Sequence, residues 1–206
     1  MIKMTMIRHG KTPGNLQGRY VGRTDEGILE EERGRLSAYQ MGFTDEVFIS
    51  PMRRCRETAD IIYPIHHKIV IPEFKEIDFG NFEYKTYQEL SGNPDYQAWI
   101  DSGGTTTFPE GESLQHFHSR IQFGMEVVLR ECLRRDFHNV GMVVHGGTIM
   151  SILSRFAKPK KKYFDWQVRN GEGFVVRINP EAFFAGEREI VVDEKVFPNV
   201  RHKIMD

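Results

Sequence analysis

Two short apolar runs each end in a histidine followed by glycine. Ile2-Lys3-Met4-Thr5-Met6-Ile7 leads into Arg8-His9-Gly10, and Val140-Gly141-Met142-Val143-Val144 leads into His145-Gly146-Gly147. Apolar runs of this length are strand-like. In open α/β sheets, ligands bind beyond the carboxyl ends of the strands. Two imidazoles delivered to such ends by one local pattern imply a single site built from both ends of the chain.

At 206 residues the chain can bury a real core, and it is read as one domain over 1–206. Hydrophobic residues make up 39% and charged residues 28%, as in ordinary globular proteins. A formal net charge of -1 gives no global attraction to nucleic acid or an anionic membrane, so neither is expected as a partner. No apolar stretch approaches the roughly 18 residues of a membrane span. The N-terminal stretch is broken by Lys3 and runs directly into Arg8-His9, so it reads as a strand and not a signal peptide. Cys55 and Cys132 fall in expected helices; a reduced, cytoplasmic protein is the simplest expectation, without a cysteine metal site.

Strands are expected at 2–7, 45–49, 68–71, 140–144 and 173–178. Helices are expected at 29–42, from Ser50-Pro51 through Ile61-Ile62, from Asn93-Pro94, over 112–135, and from Gly147 to about Phe156. Ser50 reads as an N-cap with proline at the first helical position. In 112–135, Leu114, Phe117, Ile121, Met125, Val128 and Cys132 recur every three or four residues and form one stripe. The alternation predicts an α/β, three-layer α/β/α sandwich with a mainly parallel central sheet. Residues 73–112, rich in Gly, Pro, Thr and aromatics, read as a lid inserted over the strand ends. The tail 192–206 is mixed in character.

A lone histidine after a strand is more often structural than catalytic. Here a third strand end, Ser50-Pro51-Met52-Arg53-Arg54, adds guanidinium groups to the same sheet edge. Two arginines and two histidines there would make a cationic pocket suited to a phosphoryl group. Gly10 and Gly146, without Cβ atoms, would let backbone approach an anion, and Gly146-Gly147 would open a helix whose first amides favour negative charge. His66, His67, His138 and His202 read as surface residues. His116 and His118, two apart on a helix, face different ways and do not chelate one metal. No HExxH, EF-hand or P-loop pattern occurs.

The combined pattern resembles the histidine phosphatase superfamily, also called phosphoglycerate mutase-like. It rests on Arg8-His9-Gly10, Asn15, Gly18-Arg19, the run Ser50 to Ala59, Glu76 in Glu-Ile-Asp-Phe-Gly, Pro109-Glu110-Gly111-Glu112-Ser113, and His145-Gly146-Gly147. The resemblance implies that His9 attacks phosphorus through a ring nitrogen, giving a phosphohistidine. Arg8, Arg54 and His145 would hold the non-bridging oxygens, with His145 as a charged donor and Asn15 donating its amide. Arg54 is preferred to Arg53 because the family arginine directly precedes a small residue, here Cys55. Glu76 would be the proton donor and later the base. Spacing alone leaves Asp78 and Glu83 as rivals; the family pattern favours Glu76. No metal and no cofactor is implied, since arginines take the metal's place.

The chain departs from the family pattern at Lys11, at Val21 and at Ile28-Leu29-Glu30, where Pro-Leu-Thr is usual. The family contains hydrolases and mutases. Residues 74–115 carry eight acids against Lys75 and Lys85, a sign that would repel a small polyanion. They also offer Phe79, Phe82, Tyr84, Tyr87, Tyr96, Trp99 and Phe108, most expected to pack inward and one or two to meet a ring-bearing leaving group. The expectation is a phosphomonoesterase for a small molecule, either an α-ribazole 5′-phosphate phosphatase or a broad-specificity enzyme. The alternatives are a phosphoglycerate mutase-type phosphotransferase and a non-catalytic phosphoprotein-binding module.

Overall fold

A computed structural model of the chain describes residues 1–39 and 41–198. In chain order the elements are β1 (Ile2–Arg8), α1 (Pro13–Leu16), α2 (Glu30–Leu36), β2 (Glu46–Ile49), α3 (Arg53–Ile62), β3 (Lys68–Val70), α4 (Pro94–Asp101) and α5 (Leu114–Arg135). They continue with β4 (Asn139–Val144), α6 (Gly146–Phe156), β5 (Ala157–Lys158), β6 (Gly173–Ile178), α7 (Pro180–Phe184) and β7 (Ile190–Val196). The strands form one sheet in the order β3-β2-β4-β1-β6-β7-β5. β1, β2, β3 and β4 pair in parallel, and β6 runs against both of its neighbours.

The period-2 alternation of the strands divides the core into two layers. Ile2, Met4 and Met6 of β1, with Val140, Met142 and Val144 of β4, face α5, α6 and α7. Ile7 and Val143 face the other way, onto Leu36 of α2 and Cys55, Ala59 and Ile62 of α3. This is the expected α/β sandwich. Phe74, Ile77, Phe82, Leu90 and Phe108, from the segment between β3 and α5, join the α5–α6 cluster.

β1 and β4 pair with Arg8 opposite Val144, and the His9 amide donates to Val144 O at 2.9 Å. His9 and His145 therefore leave the sheet side by side. β2 flanks β4 with Ile49 opposite Val143, so Ser50 emerges next to His145. Chain connections leave β1 and β4 for opposite faces of the sheet, opening a crevice between them.

Several expectations need correction. Ser50 does not cap α3. That helix begins at Arg53 with Met52 at the N-cap and no side-chain cap, because the Ser50 hydroxyl is engaged by His145. α2 stops at Leu36, well short of residue 42. Leu29, which cannot cap through its side chain, precedes it, and its amide donates instead to Lys11 O. α5 starts two residues late, where the Ser113 hydroxyl accepts from the His116 amide. β5, β7 and α7 lie beyond the elements that the sequence pattern predicts. β7 takes up residues 192–196 of the mixed tail; residues 199–206, including His202, lie outside the described residues.

Gly141 fits β4 beneath the Tyr63 ring, and a Cβ there would lie 2.6 Å from that ring. Tyr63 is buried and cannot swing aside. Gly141→Ala should therefore lower stability by about 1–3 kcal/mol, read as a lower urea midpoint at unchanged slope.

Candidate active site

A cavity of about 370 Å³ opens at the C-terminal ends of β1 and β4. Arg8, His9, Asn15, Glu76, Gly146 and Gly147 line its polar end. Arg54 and His145 do not line it; they lie immediately behind, fully buried. His9 and His145 meet edge to face with ring centroids 5.2 Å apart.

His9 Nδ1 lies 2.7 Å from Gly10 O, an acceptor only, so Nδ1 carries the proton and donates. That tautomer leaves the Nε2 lone pair uncommitted. Burial, then the charges of Arg54 and Arg8, hold the ring well below the ordinary histidine value, so it is neutral.

His145 has both ring nitrogens engaged. Arg54 Nε donates to Nδ1 at 3.3 Å, so Nδ1 is the acceptor and Nε2–H donates to Ser50 Oγ at 2.7 Å. Burial, then Arg54, His9 and Arg8, hold this imidazole well below its ordinary value too. An Nδ1 that accepts from Arg54 carries no proton, so the ring as placed here is the neutral form. Arg54 also donates to Thr24 O at 2.8 Å and to Gly22 O at 2.9 Å. Arg53 and Arg56 are solvent-facing: Arg53 pairs with Glu57, and Arg56 donates to Pro51 O.

Arg8 donates through Nη1 to Val168 O at 2.8 Å, while its Nε is buried without a partner. An unpaired buried guanidinium N–H is costly unless a ligand supplies an acceptor. Asn15 folds back on Thr12 in a capping box at α1. Its Oδ1 accepts from Thr12 N and from Asn170 Nδ2, which leaves its own NH2 for the cavity.

Glu76 lies in an extended segment, with its carboxyl at the N-terminus of α6. Oε1 accepts from Ile77 N at 2.9 Å and Oε2 from Gly147 N at 3.2 Å. A Cβ on Gly147 would overlap Oε1, so the glycine makes room for the acid. Burial raises this carboxyl above the usual carboxylate range, against the opposing pull of the two amides, Arg54 and Arg8. Its rivals are engaged elsewhere: Glu83 accepts from Gly22 N, Thr24 N and Thr24 Oγ1, and Asp78 faces Arg23.

Gly10 serves a different purpose from the one expected. A Cβ there would lie 2.8 Å from Leu36 Cδ1 and 3.3 Å from Ile28 Cγ2, so its bareness lets α2 pack against β1. Gly146 presents its open side to the Arg8 guanidinium.

The far end of the cavity is apolar, lined by Tyr20, Phe79, Trp99, Phe108, Tyr163 and Phe164. Phe82 and Tyr96 pack behind, and Tyr87 faces solvent. Of the eight acids in 74–115, only Glu76 lines the cavity, and Arg19 stands at its rim. The negative lid inferred from composition thus contributes one acid to the lining, and Glu89 pairs with Arg19 at 2.9 Å.

Sequence reasoning missed Ser50's contact with His145, the Asn170 bridge to Asn15 and His9 O, and Tyr163 and Phe164. The Asn170-Gly171 turn dipeptide was the one available signal for that loop. Gly171, at φ +74°, donates its amide to Arg8 O and His9 O. Among the described residues, no cluster of three metal-ligating side chains occurs and no helix is long and apolar enough to cross a membrane.

Because His9 and His145 bind protons less readily folded than unfolded, stability should fall as pH drops below the ordinary histidine value of 6.5. Glu76 acts with the opposite sign, and the lowered carboxyls of Glu32 and Glu57 lose their stabilising effect only below 4.5. Between pH 6.5 and 5 the urea midpoint should decline, and less steeply in His9→Asn. A midpoint that is flat over this window would mean that the rings are charged in the native state.

The profile of the histidine phosphatase superfamily (branch 1) matches residues 4–187. The chain is 25% identical over 191 residues to the adenosylcobalamin/alpha-ribazole phosphatase of Escherichia coli strain K12, covering 86% of this chain and 91% of the relative. In fold it is similar to the alpha-ribazole phosphatase from Shigella flexneri, with a TM-score of 0.78 at 21% identity over 96% of each chain. It is also similar to the phosphoglycerate mutase from Thermus thermophilus, with a TM-score of 0.69 at 23% identity, covering 95% of this chain and 98% of that one. The chain belongs to the histidine phosphatase superfamily, branch 1.

Proposed function

We propose that this phosphatase hydrolyses small phosphomonoesters through a phosphohistidine on His9, with Glu76 as general acid and then base. One observation carries the reading: a neutral His9 with Nε2 uncommitted shares a cavity with the unpartnered Arg8 Nε and the enclosed Glu76 carboxyl. The His9 Nε2 lone pair attacks phosphorus as the ester P–O bond breaks, and protonated Glu76 gives its proton to the departing oxygen. Water then attacks the phosphohistidine. Glu76 takes the water's proton, the N–P bond breaks, and inorganic phosphate leaves.

Arg8 Nε, the Asn15 amide and the N-terminus of α6 at Gly146 meet the phosphoryl oxygens first. Arg54 exchanges its contact with His145 Nδ1 for a phosphoryl oxygen. His145, relieved of the guanidinium and facing a dianion, takes up a proton at Nδ1 and becomes the further donor. These cationic groups and amides do the work a metal would do, so turnover should persist in EDTA.

The apolar end of the cavity suits a leaving alcohol that carries a ring, and the relative from E. coli is named for alpha-ribazole. We therefore place α-ribazole 5′-phosphate first among the substrates. A phosphoglycerate mutase-type reaction is the second reading, since Arg19 lines the cavity while Glu76 alone of the eight acids does so; Arg19 is itself paired with Glu89 at 2.9 Å. Isomerisation of phosphoglycerate that depends on a bisphosphorylated primer and outruns hydrolysis would establish it. The free thiols of Cys55 and Cys132 support a reducing, cytoplasmic setting.

Enzyme quenched during turnover should carry phosphate that is labile to acid and stable to base, and His9→Ala should carry none. Glu76→Gln should slow alkyl phosphates by about 10²–10⁴-fold and nitrophenyl phosphate far less, because nitrophenolate leaves without a proton. A label that survives acid, or equal losses on both substrates, would overturn the respective assignment.

A further inference from the structure

The Pro109-Glu110-Gly111-Glu112-Ser113 motif has no place in the reaction as described, and no residue of it lines the catalytic cavity. It packs instead along the segment that carries Glu76. Asn81 N donates to Pro109 O at 2.8 Å, and Glu112 N donates to Asp78 O at 2.9 Å. A Cβ on Gly111 would lie 2.6 Å from Asp78 O, so only glycine allows the two segments this close.

The Glu112 side chain grips Arg120 of α5 as a fork: Arg120 Nε to Oε1 and Nη2 to Oε2, each at 2.7 Å. The remaining guanidinium donors go to main-chain carbonyls. Nη1 donates to Glu73 O at 2.6 Å and Lys75 O at 2.7 Å, and Nη2 to Glu76 O at 3.1 Å. All five N–H donors of the guanidinium are thus used. The guanidinium carbon also lies 4.7 Å from the centroid of the Phe117 ring, over its face.

Among the described residues, no side-chain donor reaches the Glu76 carboxyl. Its two hydrogen bonds come from the amides of Ile77 and Gly147. Where the carboxyl sits therefore depends on where the main chain of residue 76 sits. Residues 75–79 belong to no strand and no helix and follow a single 3-10 turn, Pro72–Phe74; the carbonyls of Glu73, Lys75 and Glu76 find a donor in Arg120.

We propose that Arg120, held by Glu112, is a positioning residue that sets the reach of the Glu76 carboxyl toward the leaving oxygen. The proposal rests on Glu76 being the general acid. Lysine could not replace Arg120, since a compact ammonium cannot serve a carboxylate fork and three carbonyls in one plane.

The test is single-turnover phosphorylation of the full chain by nitrophenyl phosphate and by an alkyl phosphate, for Arg120→Lys, Arg120→Met and Glu112→Gln. Displacement of the acid by about an ångström should slow the alkyl reaction about 10–100-fold in each variant, with the nitrophenyl reaction changed by less than about 3-fold. In a Glu76→Gln background, Arg120→Met should add no further loss on the alkyl substrate. Thermal melting identifies any variant that fails to fold, and Glu112→Gln, which keeps a hydrogen-bonding side chain, then carries the test. Equal losses on both substrates, or additive losses in the double variant, would make Arg120 merely structural and overturn the proposal. If Glu76→Gln itself shows no leaving-group dependence, the general-acid assignment falls instead.

Discussion

The parallel pairing of β1 with β4 is the constraint on which the site depends. With Arg8 opposite Val144, two histidines more than a hundred residues apart leave neighbouring strands at the same level. A slip of one residue would send one ring to the other face of the sheet. The register is held by burial on both faces: Met4, Met6, Met142 and Val144 toward one helix layer, Ile7 and Val143 toward the other. Packing of the core and placement of the imidazoles are thus one event.

Around those rings the chain supplies buried charges and fixed dipoles. His9 is kept neutral by burial and by two neighbouring guanidiniums, while desolvation of its carboxyl at the N-terminus of α6 inclines Glu76 to hold its proton. The two shifts run in the directions that a nucleophile and an acid need. Asn170 and Gly171, from the turn before β6, close over the Arg8–His9 main chain and orient Asn15.

The strands and long helices were legible because burial imposes periods of two and of about 3.6 residues on apolar positions. β6, expected around 173–178, spans Gly173–Ile178, and Phe117, Ile121, Met125, Val128 and Cys132 of the α5 stripe are buried as their spacing implied, with Leu114 half-buried. What was not legible is set by contacts distant in sequence. Ser50 has the local chemistry of a helix cap, yet its hydroxyl goes to His145, ninety-five residues on. Gly10 looks like an anion-binding glycine but is bare for the sake of Leu36. Charge counts in 74–115 could not reveal that Glu76 alone of those acids lines the cavity, since composition carries no direction. β7 follows a charged segment and alternates weakly, with Asp193, Glu194 and Lys195 exposed or nearly so at its centre.

The engagement of both nitrogens of His145, by Arg54 on one side and Ser50 on the other, links occupancy to protons. An anion that draws Arg54 away from Nδ1 removes a positive neighbour and adds negative charge, and both changes raise the ring's basicity. On the proposed mechanism, binding and proton uptake at this position would be reciprocal: protonation of the ring would tighten the hold on a phosphoryl dianion, and its departure would expel the proton. On that mechanism, product release would return the ring to the uncharged form that its enclosure favours.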